Sequence, residues 1–172
     1  VIRLPVNRIL AWLIDWALIL GWAAIVAAVS VPLYLAGVTS SWGNLELNLV
    51  AALVLVLPTT IVMAVQEAGP RQATIGKRAR RLRVVEARTG GTVTFLRALT
   101  RNAVKVAVPW LIGHAAVYAI VGSSGDDTVP PWAVVLTVGS YVLPISYVVS
   151  LVVGGGRTPY DWLSGTKVVS VQ

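Results

Sequence analysis

Three charges stand where an apolar chain has little room for them: Arg8, Asp15 and Asp161. Asp15 lies one or two turns inside the run Ile9 to Ala36, which is otherwise apolar enough to be a membrane helix. A carboxylate at that depth costs roughly 2.5–3.5 kcal/mol on insertion scales, so something must compensate it. Arg8 precedes it by seven residues, close to two turns, which puts both on one face but about 10 Å apart along the axis. That separation suits Arg8 better to a carboxylate at the membrane surface. Asp161, just beyond Gly154-Gly155-Gly156, is the natural partner for an arginine–carboxylate fork. For Asp15 two chemistries are open. One is a fixed ion pair with the basic residues entering the third apolar run, Arg97, Arg101 or Lys105. The other is a proton or ion site.

His114 sits about eleven residues into the third run, roughly 16 Å deep at 1.5 Å per residue. It is read as a neutral side chain hydrogen-bonded to neighbouring backbone or hydroxyl groups, with Ser140, Tyr141, Ser146 and Tyr147 as candidate partners and a proton relay as the sharper alternative. The basic run Lys77, Arg78, Arg80, Arg81 and Arg83 is read as contact with anionic lipid headgroups, at about 1 kcal/mol per basic residue near the surface, with a partner protein as the alternative. Nucleic acid is not an expected partner, since the run lacks a folded reader. There is no cysteine, and one histidine with seven carboxylates leaves little material for a metal cluster, so no metal and no cofactor are expected. Without a Gly-rich phosphate loop, a nucleophile–base pair or an HExxH motif, the chain is not expected to be an enzyme.

The elements that must position these groups follow from composition. Hydrophobic residues make up 56% of the 172 and charged residues only 12%, about half the soluble norm. Mean hydropathy is +0.78. The apolar residues fall in long blocks, which predicts an all-α membrane protein with spans at about 6–36, 45–66, 103–121 and 132–153. The first run is too long for a cleaved signal core and carries Asp15, so it is read as a retained span; a chain opening on Val1 is expected to have had residues before it. Each span holds one proline: Pro32, Pro58, Pro109 and Pro144. The tryptophans at 12, 16, 22, 42, 110, 132 and 162 lie mostly near span ends, as an aromatic belt would.

Ten of the fourteen basic residues fall between Arg71 and Lys105, and the net charge is +7. The loops Gly37 to Asn44 and Gly122 to Pro131 carry none. The positive-inside rule then places both termini and the basic loop, 67–102, in the cytoplasm of a multi-pass plasma-membrane protein. Within that loop, Leu82 to Ala87, Gly90-Gly91 and Thr92 to Phe95 predict a short β-hairpin. Phe95 to Val106 predicts an interfacial amphipathic helix running into the third span. The C-terminal run Lys167 to Val171 is β-prone, and its pairing with the loop is an open alternative to two unrelated pieces.

Arg8, Asp15 and Asp161 together resemble the RDD family of small membrane proteins, which is named for such a trio. Thr74-Ile75-Gly76-Lys77 followed by Leu82-Arg83-Val84-Val85, the basic stretch Arg97 to Arg101, and Asp161-Trp162-Leu163-Ser164-Gly165-Thr166 are similar to the rest of that pattern. The resemblance covers nearly the whole chain. Thr158-Pro159-Tyr160 departs from it, since a basic residue and a histidine are common there, and a histidine role at that place is not available. The resemblance implies a transport-related protein that moves a small cation or proton, or serves a transport system. The alternative is a non-catalytic accessory subunit or assembly factor of a larger membrane complex. Four spans are few for a complete path, so a homo-oligomer is expected in the first case.

Overall fold

The computed structural model describes residues 3–123, 129–153 and 156–171, Arg3 by its backbone only. Four helices are long and apolar enough to cross a membrane. They are α1 (Arg3–Leu35), α2 (Asn44–Ala68), α4 (Phe95–Gly122) and α5 (Pro131–Val153). Between α2 and α4 lie a short helix, α3 (Ile75–Ala79), and a strand, β1 (Leu82–Glu86). After α5 come the one-turn helix α6 (Pro159–Leu163) and the strand β2 (Thr166–Ser170). The aspartates expected in the second loop, Asp126 and Asp127, and the glycines Gly154 and Gly155 lie outside the described residues.

Proline shapes two of the spans. In α2 the turn Ala52–Val56 is widened to a π-helical pitch just before Pro58, and in α4 the turn Ala103–Ala107 is widened just before Pro109. A proline has no N–H, so a carbonyl about one turn upstream loses its helical partner. Side chains on other helices supply donors there. The Trp22 indole donates to the Val54 carbonyl at 3.1 Å, and the Tyr147 hydroxyl to the Val104 carbonyl at 2.9 Å. Each widened turn is thereby tied to a neighbouring helix, Ala52–Val56 to α1 and Ala103–Ala107 to α5.

The basic segment folds against one end of the four helices. Its core is Ala11 of α1, Ala64 of α2, Leu82 and Val84 of β1, Val93, Ala98 of α4 and Val168 of β2. Val84 and Ala98 are wholly buried. A second cluster, Ile19, Met63 and Val106 with Trp110 against it, sits deeper among the spans.

The two strands form one antiparallel sheet, from Leu82 opposite Ser170 to Glu86 opposite Thr166. The expected hairpin is therefore corrected: the partner of Leu82–Glu86 is the C-terminal run. The chain does reverse after β1. Gly90, at φ +72°, allows its N–H to reach the Glu86 carbonyl (2.9 Å), and the Glu86 N–H reaches Gly91 (3.0 Å). Beyond that, Val93 turns into the core and Thr94 caps α4 by accepting from the Arg97 N–H, so no residues remain to extend a strand.

The start of α4 also differs from a helix lying on the interface. Ala98, Arg101 and Asn102, spaced three and four apart, face inward and are buried, while Phe95 and Leu96 are exposed. The polar face is the packed one, because it meets charge from α2 and α6.

Candidate functional site

Charge from five elements converges at that end of the helices. Arg101, on the first turns of α4, is 1% exposed and sits between two carboxylates that are 0% exposed. Its Nη1 donates to Glu67 Oε1 at 2.7 Å. Its Nε and Nη2 donate to Asp161 Oδ1 at 3.0 and 2.8 Å. Its guanidinium also lies 5.1 Å from the Tyr160 ring centre. Glu67 closes α2 and takes a second cation, Lys77 of α3, at 2.7 Å; the Asn102 amide donates to its other oxygen at 2.9 Å. Asp161 takes a second cation too. Arg8 Nη2 reaches Asp161 Oδ2 at 2.6 Å, and Arg8 Nη1 donates to the Gly156 carbonyl.

Local sequence sets these positions. Pro159 opens α6 and places Asp161 in its first turn, where the carboxylate accepts the Thr158 N–H at 3.1 Å. Burial works to raise the Asp161 carboxyl, but the Arg101 and Arg8 guanidiniums and the Thr158 N–H overcome it and hold it well below the usual carboxylate range. Groups this buried are favourable only when every partner is present. Removing one member of such a pair costs about 3–5 kcal/mol. The network thus ties α1, α2, α3, α4 and α6 into one unit.

Asp15 is held differently. Its Oδ2 accepts from the Thr74 hydroxyl at 2.6 Å and its Oδ1 from the Gly76 N–H at 2.8 Å. The expected ion-pair contact with Arg97, Arg101 or Lys105 is corrected, since none joins any described cation to Asp15; Lys105 attracts it only from further off. Arg101 is committed to Glu67 and Asp161. Arg97 lies on the exposed side and pairs with Glu86 at 2.6 Å. Lys105 has neither an ion pair nor a hydrogen bond among the described residues. The segment that replaces them is the entry to α3. A side chain at Gly76 would collide with the Ala11 carbonyl of α1, so only glycine lets this N–H come so close. Asp15 also lines a mainly apolar cavity of about 350 Å³ between α1 and α2, with Ile19, Trp22, Thr59, Met63 and Thr74.

Other expected sites move as well. Lys77, read as a lipid contact, is 6% exposed and spent on Glu67 and the Thr74 hydroxyl. Arg80 donates to Asn7 at 2.5 Å. Arg78, Arg81 and Arg83 remain exposed. Among the described residues His114 makes no hydrogen bond to a serine or tyrosine of α5, although Ser140, Tyr141 and Tyr147 line the same cavity as it does. His114 stacks on Trp110 (6.0 Å) and lies tilted against Tyr118 (6.4 Å), in an aromatic row that continues through Trp16 to an edge-on Trp12. The serines bond back along their own helix instead, Ser140 to Thr137 and Ser146 to Leu143. Among the described residues no group of three His, Cys, Asp or Glu is placed to hold a metal ion.

Glu67 and Asn102 are the site members that sequence reasoning passed over, while Thr74 and Gly76 enter it only within the Thr74-Ile75-Gly76-Lys77 motif, with no role of their own. Glu67 had a signal: it is an acidic residue at the end of a span, immediately before the basic segment.

A family model described as the RDD family matches residues 3–130. No curated protein and no solved structure matches the chain.

Proposed function

The chain belongs to the RDD family of membrane proteins, and on that premise we propose that it is transport-related, with Asp15 binding a proton or small cation. One observation carries this reading. Of the three carboxylates buried at this end of the helices, Asp15 alone has no cation in contact, and it alone borders the cavity between α1 and α2. Each oxygen accepts one hydrogen bond, and a carboxylate has about four acceptor positions, so capacity is left for an ion or a proton. Arg8, Arg101 and Asp161 take the other role and hold the fold. Both termini and the basic segment 67–102 lie on the cytoplasmic face of the plasma membrane, in keeping with the charge distribution. Four helices enclose too little for a full path, so the working unit is a homo-oligomer. Catalysis of a covalent reaction is no part of this function.

The test is flux in proteoliposomes holding the purified chain. A cation gradient should drive proton movement above that of protein-free vesicles, and its absence for every small cation tried would remove the transport reading. The second reading is an accessory subunit of a membrane complex, with the charge network as a lock. It is favoured by the same network, since five elements are committed to holding shape. Purification in mild detergent that always returns the chain alone would count against it.

A further inference from the structure

A second cavity, of about 570 Å³, lies between α1, α4 and α5. Along α4 it is lined from Arg101 to Ile120, about 28 Å at 1.5 Å per residue, close to the thickness of a bilayer core. It is therefore a groove that follows the helices. Helices α1 and α5 barely touch, which leaves its side without a packed wall. One end is cationic, with Arg8, Lys77, Arg101 and Lys105. The rest is mostly apolar or aromatic, including Trp12, Trp16, Trp110 and Val117, with Thr137 and Ser140 of α5 among them.

The charges at the cationic end do not balance. Four cations, Arg8, Lys77, Arg101 and Lys105, meet three carboxylates, Asp15, Glu67 and Asp161. Arg8, Lys77 and Arg101 are paired with Glu67 and Asp161. Lys105, on the widened turn Ala103–Ala107 and only partly exposed, has no ion pair or hydrogen bond among the described residues. An ammonium group inside a span needs a counter-charge. Glu67 and Asp15 act on it only from beyond ion-pair distance, while the groove beside it has room for an apolar tail.

We propose that the groove between α1, α4 and α5 binds an anionic phospholipid, its phosphate on Lys105 and an acyl chain along Trp16, Trp110 and Val117. This differs from headgroup attraction by the exposed arginines of the basic segment. Those side chains face outward and attract any anionic surface, whereas Lys105 selects one lipid by joining a single charge to an apolar groove. It is also separate from the Asp15 cavity, which lies between α1 and α2.

The experiment is native mass spectrometry of the purified full chain released from detergent with phosphatidylglycerol or phosphatidylcholine. The expected result is one phosphatidylglycerol retained per chain with little phosphatidylcholine, and a loss of at least about fivefold in Lys105→Gln, with Lys105→Arg restoring it. Arg83→Gln, on the exposed basic segment, should retain lipid like the wild type. Equal retention of the two lipids, or full retention in Lys105→Gln, would overturn the proposal. Competition by inorganic phosphate as effective as by the lipid would also overturn it, since the site would then serve a free anion. Should Lys105→Gln fail to fold, wild-type tryptophan fluorescence decides. Phosphatidylglycerol with brominated chains should quench more than brominated phosphatidylcholine at equal mole fraction, and equal quenching contradicts the proposal. None of these outcomes depends on ion flux.

Discussion

Glu67 and Asp161 on one side, and Asp15 on the other, face the same cost of burying a carboxylate and meet it by different means. Glu67 and Asp161 share Arg101, and each has a further cation, Lys77 or Arg8. Asp15 has only a hydroxyl and a backbone N–H. The first arrangement is saturated and joins elements far apart in the chain, so it is suited to fixing shape. The second holds the side chain in place by hydrogen bonds with no cation in contact, the feature on which the proposed ion or proton site rests. Under the proposed function, the difference divides the three signature charges into two jobs: Arg8 and Asp161 fasten, and Asp15 is left to work.

If that division is right, the fastened region should be the costliest to disturb. Arg101→Leu strands two buried carboxylates at once and should destabilise by about 3–5 kcal/mol or more, read as a large fall in Tm in detergent. A fall of less than about 1 kcal/mol would mean that the network is not what holds these helices.

Acid should act on the same region. The folded pKa of Asp161 lies below the unfolded value of about 3.9, so its stabilising contribution is complete above about pH 5 and is lost as pH falls through the folded pKa. Tm should drop as the pH is lowered from about 5 toward 3. In Asp161→Asn, which begins less stable, the part of that drop due to this group should be missing.

Gly76→Ala addresses the Asp15 side. The added methyl meets the Ala11 carbonyl and the Asp15 Oδ1, so α3 must move off α1. The expected cost is about 1–3 kcal/mol, with the Gly76 N–H lost to Asp15. Its flux should fall further than its stability predicts. The smallest effect belongs to the exposed pair on the outer face of the basic segment. Glu86→Gln removes the partner of Arg97, and its Tm should match the wild type.

Much of this architecture was legible in the chain. The long apolar blocks locate the four spans, and Arg8 and Asp161 stand out because charge is scarce beside those blocks. What could not be read was the pairing. Lys77 looks like any member of Lys-Arg-Ala-Arg-Arg, and only the fold turns it toward Glu67 while Arg78 stays outside. Leu82–Glu86 carries β-branched residues on both sides of a turn, and local pattern favours the nearer run. The nearer run is consumed by Val93 in the core and Thr94 at a helix cap, so the strand takes a partner some eighty residues on. Asp15 was sought among cations because a buried charge usually needs one. A threonine hydroxyl and a glycine N–H leave no charge pattern to find.

Under the proposed function Asp15, and not the fastened carboxylates, is the working group. The most direct test of this claim is cation-driven proton flux in proteoliposomes, measured for wild type and Asp15→Asn on preparations whose Tm is recorded alongside. Asparagine is close to isosteric with aspartate, so Tm should fall by no more than about 1–2 kcal/mol in equivalent stability while flux drops to the level of empty vesicles. Flux that persists in a folded Asp15→Asn protein would contradict the claim.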